Sequence, residues 1–387
     1  MWFLQIDILI RILIGTVLLA VASAIARRFG KQTAVPKWIL LFDLLVIFYV
    51  SKKLLVFYVG YTLVTFALVR FIRVVKRGRK ALFLLCCIAC AVPLLYTRAA
   101  SFLDFLPKGL AMVGIAYNML KAIDAVYFSY YTEQKIPLIT YANFMLFVPV
   151  FTAGPIFRYR DFEKSMAKPE AITSALVERS VKRLIRGMFK KIVATTVAVQ
   201  IFDFLLAAQS HWYISLALMA LSYLILYLDM AGYADMAIAI GGLMGIKVPE
   251  NFKHPLKAAS FTQFWRNWHV TVSDWIREHV FILFRKTRLS KWQGAAVSVM
   301  VMVVMGLWHD FTILYLVDGV ILGVFLAVEA IFGLGTVNKR KTPKWNFRMR
   351  CFAVFYLFAI NSMIFTLTPE QMGQVFRGFL TLTGGPG

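Results

Sequence analysis

Long apolar stretches separated by short basic ones dominate the chain. Runs near the length needed to cross about 30 Å of hydrocarbon recur from Phe3 to Phe365. Phe3–Ala26, Ile39–Val50, Val56–Val69 and Ala81–Leu95 predict the first helices, with a turn at Lys52–Lys53. After Pro107–Lys108–Gly109, which reads as a break, Leu110–Tyr131 predicts another helix whose apolar pattern is interrupted by Tyr117, Asn118, Lys121, Asp124 and Tyr127. Lys121 and Asp124 fall at i and i+3 on one face, where they are expected to neutralise each other. Leu138–Phe151 is apolar and runs up to Gly154–Pro155, which ends it.

Glu163 to Arg186 is the longest polar segment. Val177, Val181, Leu184 and Ile185 make an apolar stripe against Arg179, Lys182, Arg183 and Arg186, the pattern of an amphipathic helix lying on a membrane surface. Lys190–Lys191 extends its positive flank. Ile192–Ala207 and Trp212–Tyr227 predict two more membrane helices. Leu226–Gly245 then departs from the pattern by placing Asp229, Asp235 and four glycines among apolar residues. Acids at membrane depth face a cavity, a partner or water, so this helix is expected to line something. Lys247–Ala259 reads as a loop. Phe261–His279 is too polar to span a bilayer and too aromatic for a solvated loop, which suits an interfacial or re-entrant helix pair. Val297–Trp308 is the next apolar run, and it ends in His309–Asp310.

Composition agrees with this reading. Sixty per cent of the 387 residues are hydrophobic and 16% charged, and the mean hydropathy is +0.72, outside the range of soluble domains. The chain is therefore read as an all-α polytopic membrane protein with one membrane-embedded domain over residues 1–387: peripheral helices over 1–106, a core over 107–333, and a basic loop with a final helix over 334–387. No cleavable signal peptide stands out, since Asp7, Arg11 and Arg27–Arg28 break that pattern. The net charge of +24 clusters in Arg27/Arg28/Lys31, Arg70–Lys80 and Lys339–Lys344, which the positive-inside rule places on the cytoplasmic face. Lipid contact or an acidic partner explains that charge better than nucleic acid does. Cys86, Cys87 and Cys90 sit within an apolar run and read as small core residues.

Two imidazoles stand out. His309 ends an apolar run, and His269 follows Trp268 in the polar aromatic segment, forty residues earlier. His269 and Ser273, one helical turn apart, could also be read as a base and nucleophile, although packing accounts for that spacing more simply. His279 is expected at an interface. With no HExxH or HxxxH spacing among the five histidines, no metal site is expected. Structural roles remain open for both rings: a hydrogen-bonded buried histidine would look the same in sequence.

At these residues the chain resembles the membrane-bound O-acyltransferase family. The matching elements are Gly114–Tyr117, Phe151–Ile156, Asp229–Ile238, Met244–Phe252, Phe264–His269 and Met305–His309, in the family's order. The D-alanyl transfer branch of teichoic acid modification is the nearest in pattern, with the alginate O-acetyltransferase branch next. The resemblance implies roughly ten to eleven transmembrane helices, with interfacial and re-entrant helices, around a central tunnel. His309 matches the catalytic histidine and His269 the second motif histidine. Trp308, Asp310, Trp265, Asn267, Trp268, Asp229, Tyr233 and Asp235 are expected along the tunnel. It implies a multi-pass protein of the bacterial inner membrane, without bound cofactor, that takes an acyl group from an acidic carrier-protein thioester or acetyl-CoA on the cytoplasmic side. The acceptor would be an extracytoplasmic polymer or a relay protein. Asp310 stands where the family usually has Gly, and Asn267 where it usually has Arg; these departures bear on the acceptor and on donor docking. A transporter with broken helices, or a scaffold without activity, are the competing readings.

Overall fold

The computed structural model describes residues 6–29, 34–100, 103, 112–208, 211–280 and 289–380. Lys31, the Pro107–Gly109 break and the apolar residues 281–284 after His279 lie outside these, as does the side chain of Arg27. The described residues are helical and contain no strand. Seven of the helices are long and apolar enough to cross a membrane, and the chain is a multi-pass membrane protein. Many of their large apolar side chains, such as Val56 at 74% and Leu85 at 62% exposure, point outward, where only lipid makes such a surface favourable.

The chain forms two compact units. The first comprises the chain up to Arg186 together with Ala234–Glu250. It contains α1 (Ile6–Arg28), α2 (Val35–Val50), α3 (Lys52–Val74), α4 (Arg79–Ala99), α5 (Ile115–Thr132), α6 (Leu138–Leu146), α7 (Tyr159–Ala167) and most of α8 (Ser174–Met188). The expected turn at Lys52–Lys53 falls one residue earlier. Extended Ser51 caps α3 by accepting from the Leu54 amide at 3.3 Å, which leaves both lysines in the first helical turn. Cys86 and Cys90 are buried as expected.

Three further expectations are corrected here. Lys121 and Asp124 do not serve each other: the Lys121 ammonium donates to the Met145 carbonyl at 2.9 Å, while Asp124 accepts from the Tyr159 amide at 2.6 Å and lies 4.0 Å from Arg158. The helix expected to reach Gly154 stops at Leu146, because Pro149 lacks the N–H an α-helix would use, and the freed Val148 amide donates to buried Asp43 at 3.1 Å. The amphipathic segment is two helices, since Pro169 separates α7 from α8. On α8 the predicted stripe divides: Leu184 is buried, whereas Val177, Val181 and Ile185 are exposed, the arrangement of a helix with one face towards lipid.

The second unit comprises Gly187–Tyr233 and the chain from Asn251 on. It holds α9 (Thr195–Ala207), the first two thirds of α10 (Trp212–Leu243), α11 (Phe261–Trp265), α12 (Val270–His279), α13 (Lys291–His309), α14 (Ile313–Phe332), α15 (Lys344–Thr366) and α16 (Pro369–Leu380). A π-helical turn over Phe189–Ala194 joins α8 to α9 without a break. Lys191, expected on a positive flank, is instead buried in this turn and pairs with Asp229 of α10. Gly232 permits the approach, because a Cβ there would stand 2.8 Å from the Lys191 backbone nitrogen. The Leu226–Gly245 segment is helical, as expected: α10 continues to Leu243, and the chain turns only at Gly245, with φ +78°.

Candidate active site

Phe261–His279 folds as the expected helix pair, α11 and α12. Ser260 caps α11 by accepting from the Gln263 amide at 3.1 Å. The Glu329 carboxylate of α14 accepts from the Phe261 and Thr262 amides at 2.6 and 2.8 Å and from the Thr262 hydroxyl at 2.8 Å. A carboxylate suits the positive end of a helix and the orphan amides found there. Between the helices, the Asn267 side chain donates to the Gln263 carbonyl at 2.8 Å, and its own carbonyl accepts from the Lys253 amide at 2.9 Å. The Val270 amide donates to the Asn251 carbonyl at 2.9 Å and the Thr271 hydroxyl to the Asn251 side chain at 2.9 Å. The preceding loop thus clamps the turn on both sides of His269.

His269 has φ +44° and ψ +50°, in the left-handed region, where a residue with a side chain costs on the order of 1–3 kcal/mol unless its surroundings hold it. It is 3% exposed. Trp268 stacks on Phe264 at 5.5 Å between ring centroids and packs against Phe358 at 5.1 Å, which fixes the turn from the apolar side.

The second ring arrives on α13. Ser290 and Gln293 form a capping box at its start, and the helix ends at His309 because Asp310 is extended. Asp310 accepts from the Phe311 amide at 2.9 Å, and the chain turns back into α14. The hairpin closes through Gly306, Gly319 and Gly323: a Cβ on Gly319 would lie 2.7 Å from the Val303 Cα, and one on Gly323 2.6 Å from the Val299 Cα. His309 is walled by Trp308, Tyr315 and Phe365, with ring centroids 4.8, 6.0 and 5.0 Å away.

Both imidazoles line one cavity of about 50 Å³, against the roughly 10–15 Å³ that a single water needs. Leu226 and Met230 of α10, Trp265 and Trp268 form one side; Met302, Met305 and Gly306 of α13 form another. Asp318 of α14 and Asn361 of α15 complete the polar lining. Burial pushes the His269 imidazole down to about 3, with repulsion from His309 second, so this ring is neutral at any physiological pH.

Among the residues expected along a tunnel, Trp265 and Trp268 line this cavity. Trp308 flanks His309, whereas Asn267 and Asp310 hold turns. Asp229 is committed to Lys191, Tyr233 is buried at 3% exposure, and Asp235 is committed to Arg183 at 2.9 Å in the first unit. His279 is buried against its own helix: its ring stacks on Trp275 with centroids 4.2 Å apart, and Nδ1 lies 2.8 Å from the Trp275 carbonyl. Ser273 donates to the Trp268 carbonyl at 3.4 Å, as a packing role predicts. Asp318, Asn361 and Glu329 were not anticipated, although the rule that drew attention to Asp229 applies equally to an acid at position 318 or 329. Gly319-x-x-x-Gly323 is likewise a legible close-packing signature. No group of three metal-ligating side chains occurs among the described residues.

Residues 27–366 match the profile of the membrane-bound O-acyltransferase family. The probable alginate O-acetylase AlgI of Pseudomonas putida is 32% identical over 258 residues, 65% of this chain and 52% of that protein. The teichoic acid D-alanyltransferase of Streptococcus thermophilus is 27% identical over 323 residues, covering 75% and 77% of the two chains. The peptidoglycan O-acetyltransferase of Helicobacter pylori is 31% identical over 205 residues, 51% of this chain and 38% of that protein. The chain spans about half the length of the alginate O-acetylases it matches.

Proposed function

Because the chain belongs to the membrane-bound O-acyltransferase family, we propose that it moves a small acyl group, D-alanyl or acetyl, from a cytoplasmic thioester to a hydroxyl of a cell-envelope polymer or of a relay protein. The observation that carries this reading is the convergence of His269 and His309, forty residues apart in sequence, on one cavity. The cavity's volume supports a short acyl group over a fatty chain. His309 is the general base. As the acceptor oxygen attacks the thioester carbonyl, its proton passes to the imidazole, a C–O bond forms, the C–S bond breaks, and the proton goes on to the departing thiolate. Such base catalysis contributes about 10²–10⁴-fold. His269, held neutral, acts as a hydrogen-bonding partner and not as a second base. The donor is a carrier-protein thioester or acetyl-CoA, both of which suit the basic loops, and the membrane is the bacterial inner membrane.

The test is acyl incorporation into envelope polymer in cells carrying His309→Ala at normal protein level. Incorporation is expected to fall at least about 10²-fold, while His211→Ala, at an exposed ring, leaves it unchanged. Full incorporation with His309→Ala would overturn the assignment.

A further inference from the structure

Asp318 is 3% exposed and lines the cavity shared by the two imidazoles. A carboxylate at this depth is costly, and in membrane helices such a residue marks a ligand or a partner. The partner it has is neutral: Asp318 Oδ1 accepts from the Asn361 side-chain amide. Among the described residues no lysine or arginine pairs with it. The Asn361 carbonyl oxygen, on a side chain 4% exposed, has no hydrogen-bond partner among the described residues. The pair therefore presents the cavity with the second oxygen of a carboxyl group and a free amide oxygen, two acceptors, the first of which a cation bound beside it would hold ionised.

Resting on the acyltransferase reading above, we propose that Asp318 and Asn361 form a subsite for the ammonium group of a short aminoacyl donor, and so select an aminoacyl over an acetyl group. An ammonium offers three N–H donors and no acceptor, which matches two free acceptors, one of them on a carboxyl group that the cation itself would keep ionised. An acetyl group offers neither a donor nor a charge. An acceptor hydroxyl would satisfy Asn361 but leave the carboxylate without a counter-charge. Met302 and Met305 line the same cavity and offer the aminoacyl carbon skeleton an apolar wall. Selection of this kind is strong, because a site built to bond a polar group leaves its own buried groups unpaired when the analogue lacks that group.

A competition between donors tests the proposal. Membranes carrying the full chain and an envelope acceptor receive equal amounts of D-alanyl-S-pantetheine and acetyl-S-pantetheine, and mass analysis of the polymer gives the ratio of the two acyl groups. Wild-type protein is expected to favour D-alanyl by about ten-fold or more. Asp318→Asn, which keeps the shape but loses the charge, is expected to bring the ratio close to one through loss of D-alanyl transfer, with acetyl transfer retained. A wild-type ratio favouring acetyl overturns the proposal without recourse to any variant. So does an unchanged ratio in Asp318→Asn, or an equal loss of both groups at normal protein level, which would make Asp318 a strut between α14 and α15. Transfer of neither group by wild type would instead overturn the acyltransferase reading itself.

Discussion

Gly319 packs against Val303 so closely that a Cβ at position 319 would stand 2.7 Å from the Val303 Cα. This contact sets the distance between α13 and α14, and with it the place of His309 at the end of α13. The added methyl of Gly319→Ala has no flexible neighbour to displace, so it is expected to destabilise the protein by about 1–3 kcal/mol. Thermal unfolding in detergent measures the loss. Activity should fall further than the remaining folded fraction explains, because the hairpin opens at the ring. Gly294→Ala, where nothing lies within 4 Å of the added carbon, serves as the control.

Glu329 holds the start of α11 through three donors. Glu329→Gln has one acceptor oxygen for bonds that two oxygens now receive, at an expected cost of about 1–3 kcal/mol. Since α11 leads straight into Trp265, Trp268 and His269, acyl transfer should decline in the same variant at matched protein level. Unfolding midpoint and transfer rate, measured together, check both effects.

Lys191 and Asp229 supply a double-mutant cycle. The Lys191 side chain is 2% exposed and that of Asp229 37%. Removing the acid strands a buried ammonium, so Asp229→Asn should cost towards the lower end of the ~3–5 kcal/mol seen when a buried pair loses one member, given the partial exposure. Lys191→Met in the same chain should recover most of that loss. If the two changes add instead, the ion pair is not what holds α10 to the π-helical turn.

For His269 the sign of the pH dependence follows from its burial. Its native pKa is about 3 against an ordinary value of 6.5, so below pH 6.5 the unfolded chain takes up a proton that the native chain refuses. Stability is therefore fully present above about 6.5 and is lost as pH falls through the window towards 3. His269→Gln should flatten that slope by about one proton, as read from unfolding midpoints across pH 7 to 4.

The helices were legible because apolar runs of membrane length carry little ambiguity. Their ends were not. Val56–Val69 grew to Lys52–Val74 because Ser51 caps the helix and the flanking basic side chains can reach polar surroundings from within it. At the candidate site the two Trp–His elements could be read in advance, since each is local in sequence. Asp318 and Asn361 could not, because forty-three residues separate them and only packing brings α14 and α15 to the same cavity. Asp229 and Asp318 pose the same puzzle in sequence, an acid at membrane depth. One finds a lysine and becomes a brace, while the other is bonded to a neutral amide at the wall of a cavity, and no rule of spacing separates those fates.

The π-helical turn at Phe189–Ala194 amounts to one residue inserted into an otherwise continuous helix. The wide turn takes up the extra residue within itself, so deleting one residue there would let the backbone revert to ordinary α geometry while the positions that follow keep their phase. The apolar outer side of α9 would stay where it is, and the side chains displaced would be those of the turn itself, Lys191 among them. The turn thus acts as a local slack in the helix, and its removal would be felt at the Lys191–Asp229 pair and not farther along the chain.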